Sequence, residues 1–310
     1  MDKFKRIFVI VADSLGVGAL PDADKYNDLG ANTLGHISNN YKGFRVPTLE
    51  KLGIGYLTEC ERISACLAPQ GIVGKMGELS VGKDTLTGHF ELMGLEVTTP
   101  FPSFTENGFP AELIKSLEDF SGRKVIGNIS ASGTEIIKDL GEEQLATGAL
   151  IVYTSADSVL QVAAHENVVP LDELYNICEI ARKLTLKDEW KVGRIIARPF
   201  IGEPGNFTRT GNRRDYALDP DGKTVLDNLK ESNYNVISVG KISDIFNGKG
   251  ITNNNHTNDN TDGIRTLIKK MHEEFTGLCF VNLNDFDSKY GHRRNVKGYG
   301  DALREFDEAI

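Results

Sequence analysis

Thr85 lies within the stretch of this chain whose residue types and spacing point most clearly to group-transfer chemistry, Gly82-Lys83-Asp84-Thr85-Leu86-Thr87-Gly88-His89-Phe90-Glu91. Residues 74–81 before it read as a strand, and residues 90–94 read as a short helix. A hydroxyl at a strand-to-helix turn meets free backbone N–H groups and the positive end of the helix dipole, which together suit a phosphate. A threonine hydroxyl is a weak nucleophile until a neighbouring base or a metal ion lowers its pKa. The plainer alternative is that Thr85 or Thr87 is an ordinary N-cap.

A second set of candidates follows the last apolar run, at Asn284-Asp285-Phe286-Asp287-Ser288-Lys289-Tyr290-Gly291-His292-Arg293-Arg294. Carboxylates and an imidazole a few residues apart suit a divalent metal: oxygen ligands favour manganese or magnesium, and imidazole tolerates manganese and zinc. A polar loop with Asp285 as a turn residue is the alternative. Asp13 ends the run Ile7-Phe8-Val9-Ile10-Val11-Ala12, and in open α/β sheets ligands sit beyond the carboxyl ends of strands. Its alternative role is to cap the loop that follows.

The elements that must position these groups alternate along the chain. The run at 7–12 and the run at 278–283 are continuous and apolar, as buried parallel strands are. Strands are also expected at 124–129, 150–154, 193–198 and 236–239, and helices at 33–37, 48–52, 111–120, 135–145, 171–184, 224–231, 262–275 and 301–310. Residues 99–104 form a Pro- and Thr-rich linker, and 205–215 and 252–260 read as polar loops. The pattern predicts an α/β protein: a doubly wound, mostly parallel sheet core with a smaller inserted α/β cap. The expected division is core at 1–99, cap at 100–217 and core again at 218–310.

The chain of 310 residues carries a net charge of -9, which argues against a general nucleic-acid binder or a binder of anionic membranes. Its four cysteines form no CxxC pair, so free thiols in a reducing cytosol are expected. The N-terminal segment, Met1-Asp2-Lys3-Phe4-Lys5-Arg6 and the short apolar run after it, is too short and wrongly flanked for a signal peptide. No stretch approaches a membrane span, and a cytoplasmic protein is expected.

Taken together, Asp13, the Thr85 stretch, Asp285-Phe286-Asp287 and Gly291-His292-Arg293-Arg294 resemble the phosphopentomutases of the alkaline-phosphatase superfamily. Tyr153-Thr154-Ser155-Ala156-Asp157-Ser158-Val159, Ala163-Ala164-His165-Glu166, Gly193-Arg194, Ala197-Arg198-Pro199-Phe200 and Gly202-Glu203-Pro204-Gly205-Asn206-Phe207 look like that family's cap. The match runs from Arg6 onward in the family's order, and the combined set separates it from the cofactor-independent phosphoglycerate mutases. The resemblance implies interconversion of ribose 1-phosphate and ribose 5-phosphate and their 2-deoxy forms. It implies two manganese ions and a phosphothreonine at Thr85, primed by a sugar bisphosphate. Asp13 would bind one metal beside Thr85, and Asp287 and His292 the other. Arg194 and Lys241, with Arg209 as a third cation, would neutralise the distal phosphate, and Ser155 and Asp157 would bind sugar hydroxyls. His89 would support the helix start or the metal site, and His36, His165, His256 and His272 take ordinary structural readings.

The family's pattern continues beyond Ile310 with an Asp-His pair and a further metal-binding His, whereas this sequence has no Asp-His dipeptide and its last histidine is His292. The sequence reading therefore expects a fragment of a longer enzyme that, as written, binds manganese poorly. Two other functions stay open: a related metal-dependent phosphatase or phosphoglycerate mutase, and a non-catalytic sugar-phosphate-binding protein.

Overall fold

The apolar, β-branched run after Lys5 has no helical periodicity to bury, and it forms β1 (Arg6–Ala12). The computed structural model describes residues 4–155 and 157–310, so Met1, Asp2, Lys3 and Ala156 of the segments quoted above lie outside the described residues. After β1 come α1 (Thr33–Asn40) and α2 (Pro47–Leu52). They are followed by α3 (Thr85–Leu92), α4 (Ala111–Ser121), β2 (Val125–Ser130), α5 (Gly133–Thr147), β3 (Leu150–Thr154) and β4 (Val159–His165). Next are α6 (Leu171–Leu184), β5 (Arg194–Glu203), β6 (Asn206–Arg209) and β7 (Arg214–Ala217). The chain continues with α7 (Val225–Glu231), β8 (Asn235–Gly240), the single turn α8 (Ile242–Ile245) and β9 (Asn253–Asn255). It then forms α9 (Asn260–Met271), β10 (Gly277–Leu283) and α10 (Val296–Ala309).

The chain divides into two units. Unit one holds Met1–Leu79, Lys223–Ser243 and Gly248–Ile310; unit two holds Ser80–Gly222 and Asp244–Asn247. Unit one carries a four-stranded sheet in the order β1-β10-β8-β9 with every pairing parallel. One face of that sheet, with Ile237, Val239, Cys279, Val281 and Leu283, buries against Leu34 and Ile37 of α1, Ile264 and Leu267 of α9, and Leu303 of α10. The buried Asp307 of α10 accepts the backbone N–H groups of Thr48 (3.1 Å) and Leu49 (2.6 Å), so it caps α2 from a distant part of the chain.

Unit two carries a six-stranded mixed sheet in the order β2-β3-β4-β5-β6, with β7 also on β5. The ten-residue β5 pairs through its first half with β7 and through its second half with β6. Leu150, Val152, Leu160, Val162, Ile195 and Ala197 point to one face and bury against α4 and α6. The other face carries Ile151, Tyr153, Ala163 and Phe200, which bury against Ile136 and Ile137 of α5. The result is an α/β protein whose sheets are rich in parallel pairings, as the alternation in the sequence predicts.

Several local expectations are corrected. Residues 74–81 form no strand: the run is largely exposed, and glycines at 74 and 77 remove side chains that would have to pack. The expected loop at 205–215 contains β6 and the start of β7; Gly202 and Gly205 take left-handed backbone angles (φ 115° and 85°) that fold β6 back on β5 as a hairpin. The Asn-rich loop contains the short edge strand β9. The short helix placed at 90–94 begins earlier, at Thr85.

Candidate active site

In unit one, parallel strands bring the expected groups to one edge of the sheet. Asp13 follows β1, Lys241 follows β8, and Asp287 and His292 lie just past β10. Asp13 is buried, and its carboxylate accepts a hydrogen bond from Asn282 Nδ2 at 3.1 Å. Its backbone carbonyl accepts one from Tyr299 Oη at 3.1 Å, and that hydroxyl also lies 3.2 Å from Ser14 Oγ. Ser14 takes a left-handed φ of 67°, a strain of the kind that marks functional turns. Among the described residues no cation pairs with Asp13. Burial, with the Asp13 and Asp287 charges adding to it, holds the Tyr299 hydroxyl above the usual tyrosine range.

The segment after β10 is a π-helical turn, Phe286–Gly291, closed by the His292 N–H donating to the Asp287 carbonyl at 3.0 Å. That five-residue step brings His292 Nε2 to 3.2 Å from Asp287 Oδ2, and such turns recur at functional sites. Gly291 lies against both the Ser14 hydroxyl and the Asp287 carboxylate, and a Cβ there would sit 3.0 Å from the first. Asp285 is committed elsewhere: it accepts from the Asn260 N–H (3.0 Å) and from Lys289 Nζ (2.9 Å), which ties the turn to α9. Lys241 Nζ donates to Asn284 Oδ1 at 3.1 Å.

These donors fit a divalent cation. A buried carboxylate without a cationic partner is unfavourable by itself, and the carboxylate–imidazole pair has the chemistry of a manganese, magnesium or zinc ligand set. Among the described residues no three His, Cys, Asp or Glu side chains converge on one point, so the donors form two groups, Asp13 and the Asp287–His292 pair.

In unit two, Thr85 is the first residue of α3, and its cap is neither of the threonines. Asp84 is the N-cap: its Oδ1 accepts from the N–H groups of Leu86 (2.9 Å) and Thr87 (3.1 Å), and its Oδ2 accepts from Thr87 Oγ1 (2.7 Å). The Thr85 hydroxyl is left half-buried, with no hydrogen-bond partner among the described residues. His89 Nδ1 lies 2.8 Å from the Thr85 carbonyl, one helical turn on. The buried Leu86 packs against Gly193, where a Cβ would come within 2.9 Å of it, so α3 lies against the start of β5 beside Arg194.

The remaining candidates of unit two lie on the α5 face of its sheet or in the turn beside it. Ser155 and Asp157 occupy the turn between β3 and β4, where the Arg194 N–H donates to the Ser158 carbonyl at 3.3 Å. Arg194 and Arg198 alternate along β5, Arg209 pairs opposite Phe200, and Asp215 pairs opposite Ile196. Asp215 holds Arg213 through two contacts of 2.6 and 2.5 Å and lies 3.8 Å from Arg194. Arg198 Nε donates to Gln161 Oε1 at 3.0 Å, and no carboxylate is within ion-pair distance of Arg198 or Arg209 among the described residues. Burial, with the neighbouring Arg213 and Arg209 charges, pushes Arg198 down to about 10. Arg194, Arg198, Arg209 and Arg213 gather around Asp215, and this excess of guanidinium groups makes the face anion-seeking.

The sequence assigned no role to Asn282, Tyr299 or Gln161, and none of their own to Asp84 and Arg198 within the motifs quoted above. Asn282 had a legible signal, as the one polar residue in the apolar run Leu278-Cys279-Phe280-Val281-Asn282-Leu283. Asp84 also had one, as an Asp directly before a helix. Tyr299 had none, because it reaches Asp13 only through the fold.

A parallel sheet with a buried carboxylate and a carboxylate–imidazole pair past its strand ends is the layout of a metal-dependent enzyme. Residues 5–310 match the family model described as the Metalloenzyme superfamily, and the chain belongs to that family. The family is alkaline-phosphatase-like, and it makes this chain a metal-dependent enzyme of the phosphoryl-transfer kind. Among the described residues no helix is long and apolar enough to cross a membrane.

Proposed function

We propose that this chain is a phosphopentomutase, interconverting ribose 1-phosphate and ribose 5-phosphate, and their 2-deoxy forms, through phospho-Thr85. The observation that carries the reading is the division of labour at the start of α3: Asp84 takes up the N–H groups of Leu86 and Thr87, so the Thr85 hydroxyl does no capping and has no hydrogen-bond partner among the described residues. Such a hydroxyl, at the positive end of a helix, can take up and release a phosphoryl group.

In this reading phospho-Thr85 transfers its phosphoryl group to the free sugar hydroxyl, forming one O–P bond as the Thr85 Oγ–P bond breaks. The other phosphoryl group of the resulting bisphosphate then returns to Thr85, and a sugar bisphosphate primes the cycle. Asp13, Thr85, Asp287 and His292 would hold manganese, two ions in this reading, whose charge would activate the hydroxyl and neutralise the phosphoryl oxygens. Arg194, Arg209 and Lys241 bind the distal phosphate, with the arginines offering bidentate contacts. Ser155 and Asp157 orient the sugar through its hydroxyls, and residues 100–217 act as the substrate-binding cap. The substrates are small cytoplasmic pentose phosphates, with no role for nucleic acid or membrane.

The test is a coupled assay of ribose 1-phosphate conversion with manganese and a sugar bisphosphate, together with intact-mass analysis. With the family's later metal ligands missing, wild type is expected to turn over slowly and to carry one phosphate mapped to Thr85, and Thr85→Ala is expected to lose both while still binding ribose 5-phosphate. Release of free phosphate, or turnover of 3-phosphoglycerate in place of pentose phosphates, would refute the assignment in favour of a related phosphatase or phosphoglycerate mutase. Binding of ribose 5-phosphate by wild type without any turnover would refute it in favour of a binding protein.

A further inference from the structure

We infer that the N-terminus of α5, with Arg209 and Tyr153, forms a phosphate seat that holds the non-reacting phosphate of a phosphomonoester. The inference deepens the reading above, which assigned Arg209 to that phosphate but gave no role to α5 or Tyr153.

α5 is fifteen residues long and begins Ser132-Gly133-Thr134-Glu135. Ser132, at the N-cap, makes no side-chain capping bond, and its hydroxyl lies 3.0 Å from Thr134 Oγ1. The first-turn N–H groups have no intrahelical acceptors and lie at the positive end of the helix dipole, so they need an acceptor from outside. A helix start alone would mean little. Here Tyr153, at 1% exposure, aims its hydroxyl at this turn beside the Arg209 guanidinium, and that oxygen makes no hydrogen bond of full geometry among the described residues. Arg209 Nε is also buried without a partner. A methyl group at Gly133 would overlap both Arg209 Nη2 and Tyr153 Oη, so glycine is what lets helix amides, guanidinium and phenol converge.

Close packing of α5 on β6 explains a glycine at 133 by itself, and Gly141 packs on the Phe207 ring in that way. Packing does not explain why a buried hydroxyl and a buried guanidinium N–H are left unbonded, which costs stability unless a ligand completes them. A phosphate dianion accepts from all three donor types at once. Arg198 sits on the same face, without a carboxylate partner among the described residues, and adds positive charge.

The test titrates inorganic phosphate and, separately, ribose 5-phosphate into the magnesium-loaded protein. Amide NMR reads the Gly133 and Thr134 resonances, and calorimetry reads affinity. Both amides are expected to shift with either ligand. Tyr153→Phe deletes only the unbonded hydroxyl, so its melting temperature is expected to hold or rise, while phosphate affinity falls about tenfold, the usual worth of a hydrogen bond to a charged group. Gly133→Ala is expected to abolish the response. Phosphate that leaves the two amides unmoved, or that binds Tyr153→Phe as tightly as wild type, overturns the inference. If that happens while wild-type mutase turnover persists, only this seat is lost. If the amides respond but no mutase activity exists, the seat stands and the mutase reading falls.

Discussion

Asp84 can be removed with a calculable effect. In Asp84→Ala the N–H groups of Leu86 and Thr87 lose their cap, and Thr87 Oγ1, on a fully buried side chain, loses its acceptor. Cap loss costs about 1–2 kcal/mol, and orphaning a buried hydroxyl costs about 1–3 kcal/mol. Together these predict a loss of roughly 2–4 kcal/mol, because the two terms overlap at Thr87. Thr87→Val breaks only the 2.7 Å hydroxyl contact and leaves both amides capped, so it is expected to cost about 1 kcal/mol. Because the two residues share one bond, the double variant is expected to fall short of the sum by about 1 kcal/mol. Asp84→Asn keeps an acceptor for the amides and is expected to lose the least. The assay is urea unfolding followed by the fluorescence of Trp190, the sole tryptophan, which is buried in unit two and reports that unit directly. An Asp84→Ala protein within about 0.5 kcal/mol of wild type, or single losses that simply add, would refute the reasoning.

Asp13→Asn is expected to leave the metal-free protein as stable as wild type or more so, because a buried charge without a cationic partner disappears. Manganese or magnesium should raise the melting temperature of wild type and not of the variant, and an equal metal-dependent shift in both, measured with and without chelator, counts against Asp13 as a ligand. Burial pushes the Cys279 thiol up to about 12 from an ordinary value of 9.0, and burial also raises Cys178 and Tyr153. Above pH 9 the unfolded chain therefore sheds protons that the folded chain keeps, so stability falls as pH rises towards 12. Urea melts at pH 8, 9 and 10 are expected to show that decline, with a shallower slope in Cys279→Ala. In the native protein, alkylation is expected to reach Cys60 and Cys66 and to spare Cys178 and Cys279, which are buried.

The strands and helices that carry the two sheets were legible because their periodicity is local. The run at 278–283 announced a buried parallel strand, and the helix at 171–184 has the bounds that its apolar stripe predicts. What escaped depended on partners. β6 and β7 are short, arginine-rich edge strands, and only pairing with β5 makes them strands. Residues 74–81 show the converse, a strand-like pattern with no strand to join. At the candidate site, Asp13, Asp287 and His292 were readable as donor types past strand ends. The five-residue step that joins Asp287 to His292 came from a π turn that no propensity encodes. The capping alternative for Thr85 failed for a local reason, since Asp84, a better cap, stands one residue earlier.

The pairing of β1 with β10 has a consequence for how the chain acquires its fold. Residues 6–12 find their ladder partners only at 277–283, so during synthesis the first strand waits, apolar and unpaired, while more than two hundred residues follow it. Unit two's strands all pair within 125–217, so its sheet needs nothing from either end of the chain. The sheet that carries the metal donors is the one with the long loop closure, and such non-local pairing is slow and exposed to misassociation. In refolding from urea, the mixed sheet should therefore form first and the parallel sheet last, and the metal donors come together only when β10 docks beside β1.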